Sequence, residues 1–384
     1  VLNVAIYLDN SATTKPHPQV IEAMVSLLQE NYGNPSSLHA MGQQAERVIT
    51  KARRDLAGAL GVKEKEIIFT SGGTEANNMA IKGVVRAYGN RGRHIITSRI
   101  EHPSILEVFR ELEDEGFRAT YLEVDGDGRI TPAKLAEDLE PETILVSLFH
   151  VNNEIGSINP LPELAQVLSQ RGRQRPFFHV DAVQSFGKLP VRPARWGIDL
   201  LSLSGHKIHG PKGVGALYLR EGLAIPPLIL GGGQERGLRS GTENVAGIGG
   251  FGLAALLAEE EREGALPKVA ELRKAFLERL KGSGCRVNSP DNGSPYILNL
   301  SFPGFRGEVL VHALAEKGVY VSTGSACSSR ARKQSHVLES LGLSPAEVAG
   351  AIRVSFSRRN SLEEAKKAGE ILAHVAAELG EFMG

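Results

Sequence analysis

Apolar and polar positions follow two rhythms along this chain. Short runs that are apolar almost throughout occur at 67–70 (IIFT), 94–98 (HIITS), 118–124 (RATYLEV), 143–149 (TILVSLF), 176–180 (PFFHV), 199–204 (DLLSLS) and 215–219 (GALYL). Runs of that length with little polar alternation are what strands buried on both faces look like. Longer segments with helical spacing separate them, and this alternation predicts a mainly parallel sheet covered by helices on both faces. After Gly231-Gly232-Gly233 a long helical pattern extends to about residue 282, with a break expected near Gly264 and Pro267. Strands near 296–301 and 351–356, helices between them and a final helix at 361–380 read as a second, smaller α+β domain. The expected division is a large domain at 15–260 and a small one formed by 1–14 and 261–384. No internal repeat or low-complexity segment interrupts this plan.

Charge and composition narrow the function classes. At 384 residues the chain is long enough for two domains, and 44 Lys plus Arg balance 44 Asp plus Glu. No global field therefore favours direct nucleic-acid binding or an acidic membrane, and no apolar run approaches the length of a membrane span. The opening VLNVAIYLDN lacks a basic n-region and a cleavage pattern, so it reads as a strand and not a signal peptide. Two cysteines cannot build a disulfide framework, which fits a reducing compartment, and a cytoplasmic location is expected. Cys285, beside the Val287 strand, reads as a buried structural cysteine.

Candidate chemistry gathers at strand ends. Lys207 closes Ser204-Gly205-His206-Lys207 directly after a buried strand, and Gly210-Pro211-Lys212-Gly213 then turns the chain. That edge is where open α/β sheets bind ligands, and a lysine there can hold an aldehyde cofactor as a Schiff base. A solvated surface lysine is the competing reading. Thr70-Ser71-Gly72-Gly73-Thr74-Glu75 lies between a strand and a helix expected to begin near Thr74, where backbone N–H groups and the Thr74 hydroxyl suit a phosphate. It matches neither a dinucleotide nor a P-loop fingerprint, and a helix cap without a ligand stays open. Asp181 ends the strand before Ala182-Val183-Gln184. It suits a pyridinium partner or, alternatively, a helix cap. His102, in Glu101-His102-Pro103-Ser104, suits either a face of a bound ring or a structural role.

These stretches, taken with YLDNSATT at 7–14, YGNPSSLHAMG at 32–42, SGGTEANN at 71–78, VNNEIG at 151–156, HVDAVQSFGK at 179–188, GGGQERGLRSGTEN at 231–244 and STGSACSS at 322–329, resemble the NifS-like cysteine desulfurases. That group lies within the class V aminotransferases, which are fold-type I pyridoxal-phosphate enzymes, and the resemblance runs essentially end to end. It implies pyridoxal 5'-phosphate as cofactor, L-cysteine as substrate, a homodimer, and a sulfur-acceptor protein such as an iron–sulfur scaffold as partner. No metal is expected.

The resemblance makes Lys207 the Schiff-base lysine, Asp181 the partner of the ring nitrogen and His102 the stacking residue. Gln184 matches the residue on the cofactor's phenolic oxygen, and Gly73, Thr74, Ser204 and His206 match the phosphate site. Thr242 resembles a residue that reaches the neighbouring subunit's phosphate, and Asn153 and Arg353 the pair that holds the substrate carboxylate. Cys327, in Gly324-Ser325-Ala326-Cys327-Ser328-Ser329, is implied as the sulfur-accepting nucleophile. Its Gly/Ser/Ala setting has the composition of a mobile loop, and Arg330, Arg332 and Lys333 nearby favour thiolate. The basic Arg330-Ala331-Arg332-Lys333 stretch departs from the Leu-Glu-Pro-Ser of many NifS-like proteins, which leaves the acceptor open. A same-fold aminotransferase or lyase would not need Cys327, selenocysteine lyase activity is chemically adjacent, and a silent assembly partner would have no use for Lys207.

Overall fold

The computed structural model describes residues 5–324 and 334–383. After a two-residue strand β1 (Ile6–Tyr7) come β2 (Ile67–Thr70), β3 (His94–Ser98), β4 (Arg118–Leu122), β5 (Thr143–Phe149), β6 (Phe177–Asp181), β7 (Leu200–Ser204) and β8 (Gly215–Leu219). These last seven form one sheet in the order β2-β8-β7-β6-β5-β3-β4. Neighbours are parallel except at β8, which runs antiparallel to both β2 and β7. β5 sits inside the sheet with every residue buried, which is why its sequence is apolar without alternation.

Side chains on the two faces of the sheet feed two cores. Ile68, Ile95, Leu145, Leu200 and Leu217 pack with the helices Gly73–Tyr88 and Pro103–Asp114. Their chain neighbours Phe69, Ile96, Val146, Leu201 and Ala216 point the other way, into a cluster with the helices Ala40–Leu60 and Val245–Glu278.

The expected break near Gly264 and Pro267 does not occur, since one helix of 34 residues runs from Val245 to Glu278 through both. Its first half buries Ile248, Phe251 and Ala254 in the sheet-side core, and its second half buries Val269, Leu272 and Phe276 in another. Pro267 is exposed, so the carbonyl it leaves without an N–H partner is open to water, and packing at both ends outweighs the local penalty.

That other core lies under β10 (Ile297–Ser301), which pairs antiparallel with β9 (Arg286–Val287) and β12 (Ala351–Ser355), and under the β1 pairing with β11 (Val319–Tyr320). Ile6 and Leu8 from the start of the chain join Leu300, Leu310, Val354 and Leu372 there. Cys285 packs at its margin and is half-buried, not fully buried as expected, because it stands in the exposed approach to the short β9.

Candidate active site

The carboxyl ends of β3, β5, β6 and β7 open on one side of the sheet into a cleft of about 1200 Å³. Its walls bring together Gly73, Thr74, His102, Asn153, Asp181, Gln184, Ser204, His206, Lys207 and Arg353, ten of the twelve residues singled out from sequence. Ligand sites of open parallel sheets sit at this edge. Thr242 lies outside the cleft and is exposed. Cys327 falls outside the described residues.

Lys207 ends a single 3-10 turn, Gly205–Lys207, that follows β7 without a gap. Its Nζ donates to the Ser11 carbonyl and to the Ala12 carbonyl at 2.8 Å, so the segment after Asp9 is folded across the turn. Thr14 secures that segment through its N–H and its hydroxyl, both bonded to the His206 carbonyl at 2.9 Å. His209 completes the brace in a left-handed conformation, φ 67°, rare for a residue with a side chain. Its ring bonds the Lys15 carbonyl at 2.8 Å and the Ser357 hydroxyl at 2.9 Å, and burial pushes its pKa down to about 3, so the bonds are those of a neutral imidazole.

Asp181 belongs to a continuous hydrogen-bonded row. Asn77 Nδ2 donates both to Asp181 Oδ2 and to Ser104 Oγ at 2.9 Å. Ser104 Oγ in turn lies 2.8 Å from His102 Nδ1, which also accepts from the Ser104 N–H. An Nδ1 that accepts this N–H leaves the proton of neutral His102 on Nε2. Burial, ahead of Lys207 and His336, holds the His102 pKa below its usual value. The structural reading of His102 is therefore also met, because the same contact caps the helix Pro103–Asp114. The alternative of Asp181 as a helix cap is not, since residues 183–188 form turns, although its Oδ1 accepts from Val183 N–H at 2.9 Å.

The phosphate-type end of the site is the start of the helix Gly73–Tyr88, which begins without a side-chain cap. A smaller hollow beside it is walled by Gly72, Gly73, Thr74, Ser204, His206 and Lys212. A Cβ on Gly73 would stand 2.6 Å from Val183 Cγ2, so only glycine lets the helix start approach the strand ends this closely. His206 bonds Thr13 Oγ1 through Nδ1 at 3.1 Å and is pushed down to about 3, by burial first and by the Lys207 and Lys212 charges after it.

At the far wall, Arg353 from β12 is buried to 3% exposure. Nη1 donates to the Asn153 carbonyl at 3.0 Å and to the Gly324 carbonyl at 3.3 Å, and Nη2 pairs with Asp9 Oδ1 at 3.0 Å. Nε is buried without a partner among the described residues. Two buried carboxyls flank this wall. Glu154 accepts from Ser335 Oγ at 2.5 Å, and Glu101 accepts from Ser98 Oγ and Phe149 N–H while its Oε2 has no partner among the described residues. Burial raises the pKa of both, that of Glu101 well above the carboxylate range.

Lysine amine, uncapped helix start, carboxylate row and buried arginine thus face one hollow, a donor set that fits a phosphorylated pyridine aldehyde with an amino-acid carboxylate beside it. Sequence reasoning singled out neither Asn77 and Ser104, which build the row, nor Asp9, Ser11, Glu101 and Glu154. All six lie inside stretches that carried the resemblance, which was the available signal.

The Aminotransferase class-V family matches residues 6–367. A cysteine desulfurase IscS of Dictyoglomus turgidum is 46% identical over 97% of this chain and 95% of its own length. One from Methanosarcina thermophila is 43% identical over 98% and 93%. Among solved structures, a NifS-like protein superposes with a TM-score of 0.92 at 39% identity, covering 98% of this chain and all 100% of that one. A structure described as SspA in complex with cysteine superposes with a TM-score of 0.81 at 36% identity over 92% and 99%. The chain belongs to the class V aminotransferase family, a pyridoxal-phosphate-dependent family, and has its fold with a large, mainly parallel sheet.

Proposed function

We propose that this chain is a cysteine desulfurase that takes sulfur from L-cysteine, releases L-alanine and carries the sulfur as a persulfide on Cys327. The observation that carries the reading is the convergence of Lys207, Asp181 and Arg353 on one cleft, with Arg353 also bonded to Gly324, three residues before Cys327. Three residues of chain reach roughly 10 Å. Gln334, on the other side of that segment, lines the cleft as well.

In this reading Lys207 binds the cofactor aldehyde, Asp181 faces the ring nitrogen and His102 the ring. Gln184 holds the ring oxygen, and Gly73, Thr74, Ser204 and His206 hold the phosphate. Pyridoxal phosphate, when bound, supplies an electron sink for the carbanion left by α-proton removal. Arg353 and Asn153 orient the substrate carboxylate, placing the α-proton where Lys207 Nζ takes it up. The Cys327 thiolate attacks the substrate sulfur. An S–S bond forms as the Cβ–S bond breaks, the electron pair stays with the carbon skeleton, and protonation completes L-alanine. The Nε2–H of His102 is placed to carry protons.

Several finer assignments belong to the same reading. A homodimer is supported by Ile21, Val25 and Leu28, which expose one face of the helix Pro18–Glu30, and by exposed Tyr32, Leu38 and Leu230. Thr242 would then serve the neighbouring subunit's phosphate. The division at 260/261 is supported by the two cores that share the Val245–Glu278 helix. No helix among the described residues is long and apolar enough to cross a membrane. A cytoplasmic setting rests on the scarcity of cysteine. The persulfide passes to an acceptor protein for iron–sulfur or thio-modification chemistry.

The test is product analysis of the cofactor-loaded protein with L-cysteine and a thiol reductant. Alanine with equimolar sulfide is expected; pyruvate, or no product, would overturn the assignment.

A further inference from the structure

One buried base has no part in that mechanism. Lys188 is only 5% exposed, its Nζ donates to Gln184 Oε1 at 3.2 Å, and it lies 5.7 Å from the centroid of the Tyr296 ring. Gly187 makes the turn that folds Lys188 back over Gln184, with φ 68°, where a Cβ would stand 2.8 Å from Ala258 Cβ and 2.9 Å from Ile208 Cγ2. At its other end the Gln184 amide donates from Nε2 to the Ser11 carbonyl at 3.0 Å, the carbonyl that also accepts from Lys207. An isolated glutamine amide fits a site either way round. Here the Ser11 carbonyl, which only accepts, calls for the nitrogen at one end, and the Lys188 ammonium, which while protonated only donates, calls for the oxygen at the other. Since Nε2 has two hydrogens and gives one to Ser11, the second is left for the cleft that Gln184 lines.

Packing does not account for the amine. A methionine would fill nearly the same space without the cost of desolvating a basic nitrogen among the cations Lys207, Arg358 and Arg353. We propose that Lys188 is a positioning residue, whose hydrogen bond holds the Gln184 amide with its nitrogen toward the cleft and ready for the cofactor's ring oxygen. This rests on the reading of Gln184 given above. It makes Lys188, Gln184, Ser11 and Lys207 one connected unit, so an error at Lys188 is felt at the cofactor without any direct contact.

The experiment is a double-mutant cycle read by pyridoxal-phosphate affinity of the cofactor-free protein, with its thermal melting measured alongside. Lys188→Met is expected to raise the cofactor Kd roughly tenfold, the scale of one misplaced hydrogen bond. In a Gln184→Ala background it is expected to change the Kd no further, and the melting temperature of cofactor-free K188M is expected to equal or exceed that of the unsubstituted protein. Lys188→Ala, which removes the amine by truncation, must give the same Kd pattern if K188M folds poorly. Equal effects of K188M with and without Gln184, or no effect at all, overturn the positioning role while leaving Gln184 in place. A Q184A protein with unchanged Kd overturns the Gln184 reading and the Lys188 role with it.

Discussion

Arg353 Nη2 and Asp9 Oδ1 stand 3.0 Å apart, joining the middle of β12 to the chain just after β1 at the wall of the cleft. Burial alone would raise the Asp9 pKa, and the guanidinium works against that rise. Arg353 therefore has two anions to serve: its own partner and, in the proposed reaction, the substrate carboxylate. Arg353→Ala is expected to weaken L-cysteine binding by ~1.5–3 kcal/mol, seen as a raised KM. It also strands Asp9, so adding Asp9→Asn should recover melting temperature without recovering KM. An R353A protein with the original KM would remove the carboxylate role.

Lys207 and Cys327 are expected to fail in different ways. Lys207→Ala loses both the visible absorption of the lysine-bound cofactor and all turnover, whereas Cys327→Ala keeps the absorption and its response to L-cysteine but transfers no sulfur. Stopped-flow absorption with sulfide detection separates the two. Unchanged sulfide release from C327A would show that another group takes the sulfur.

Asn77 is the shared donor of the row that ends at His102, and its removal leaves Asp181 Oδ2 without its 2.9 Å bond. Asn77→Ala is expected to cost about 1–3 kcal/mol of stability in the cofactor-free protein. It should also lower cofactor affinity, because Asp181 and His102 are no longer held in one register. Chemical denaturation and equilibrium cofactor binding read the two effects. A variant as stable as the original would mean that water replaces the amide.

Lys188 also gives a pH signature of folding. Burial, then the charges of Lys207, Arg358 and Arg353, push its pKa down to about 7 from the usual 10.5, and among the described residues no carboxylate pairs with it, its amine meeting Gln184 and the Tyr296 ring. His206 and His209, which its charge also reaches, are neutral in this range. Between those two values the unfolded chain binds a proton that the folded one does not. This group therefore makes stability rise with pH, by about 1.4 kcal/mol per unit. The gain in stability of K188M over the unsubstituted protein is expected to be largest below pH about 7 and to shrink toward pH about 10, measured by urea unfolding of cofactor-free protein. A gain that does not depend on pH would mean that Lys188 stays charged in the fold.

The strands were legible because burial on both faces leaves continuous apolar runs. Thr143–Phe149 and Gly215–Leu219 end where their sequences turn polar or glycine-rich. Sheet order was not legible: nothing in Gly215–Leu219 says that it runs antiparallel between β2 and β7. The uninterrupted helix through Pro267 was hidden for a related reason, since two separate cores decide it and neither is local. In the site, residues whose own chemistry is distinctive stood out, such as Lys207 and Asp181, while Arg353 came only with the family resemblance. Ser11 did not, because it acts through a carbonyl that every residue has, and Asn77 did not, because its partners Ser104 and Asp181 are 27 and 104 positions away.

The insertion of β8 between β2 and β7 has a consequence for biosynthesis. A chain still being made on the ribosome has the Gly73 helix start early and the Lys207 turn much later, yet the two become next-but-one neighbours in the sheet only when Gly215–Leu219 arrives to be hydrogen-bonded to both. Before that residue range leaves the exit tunnel there is no completed pocket to load, and Arg353 follows more than a hundred residues afterwards. Cofactor capture is therefore expected late in synthesis or after it, and a truncated product ending before β8 is expected to compete poorly with complete copies for the vitamin.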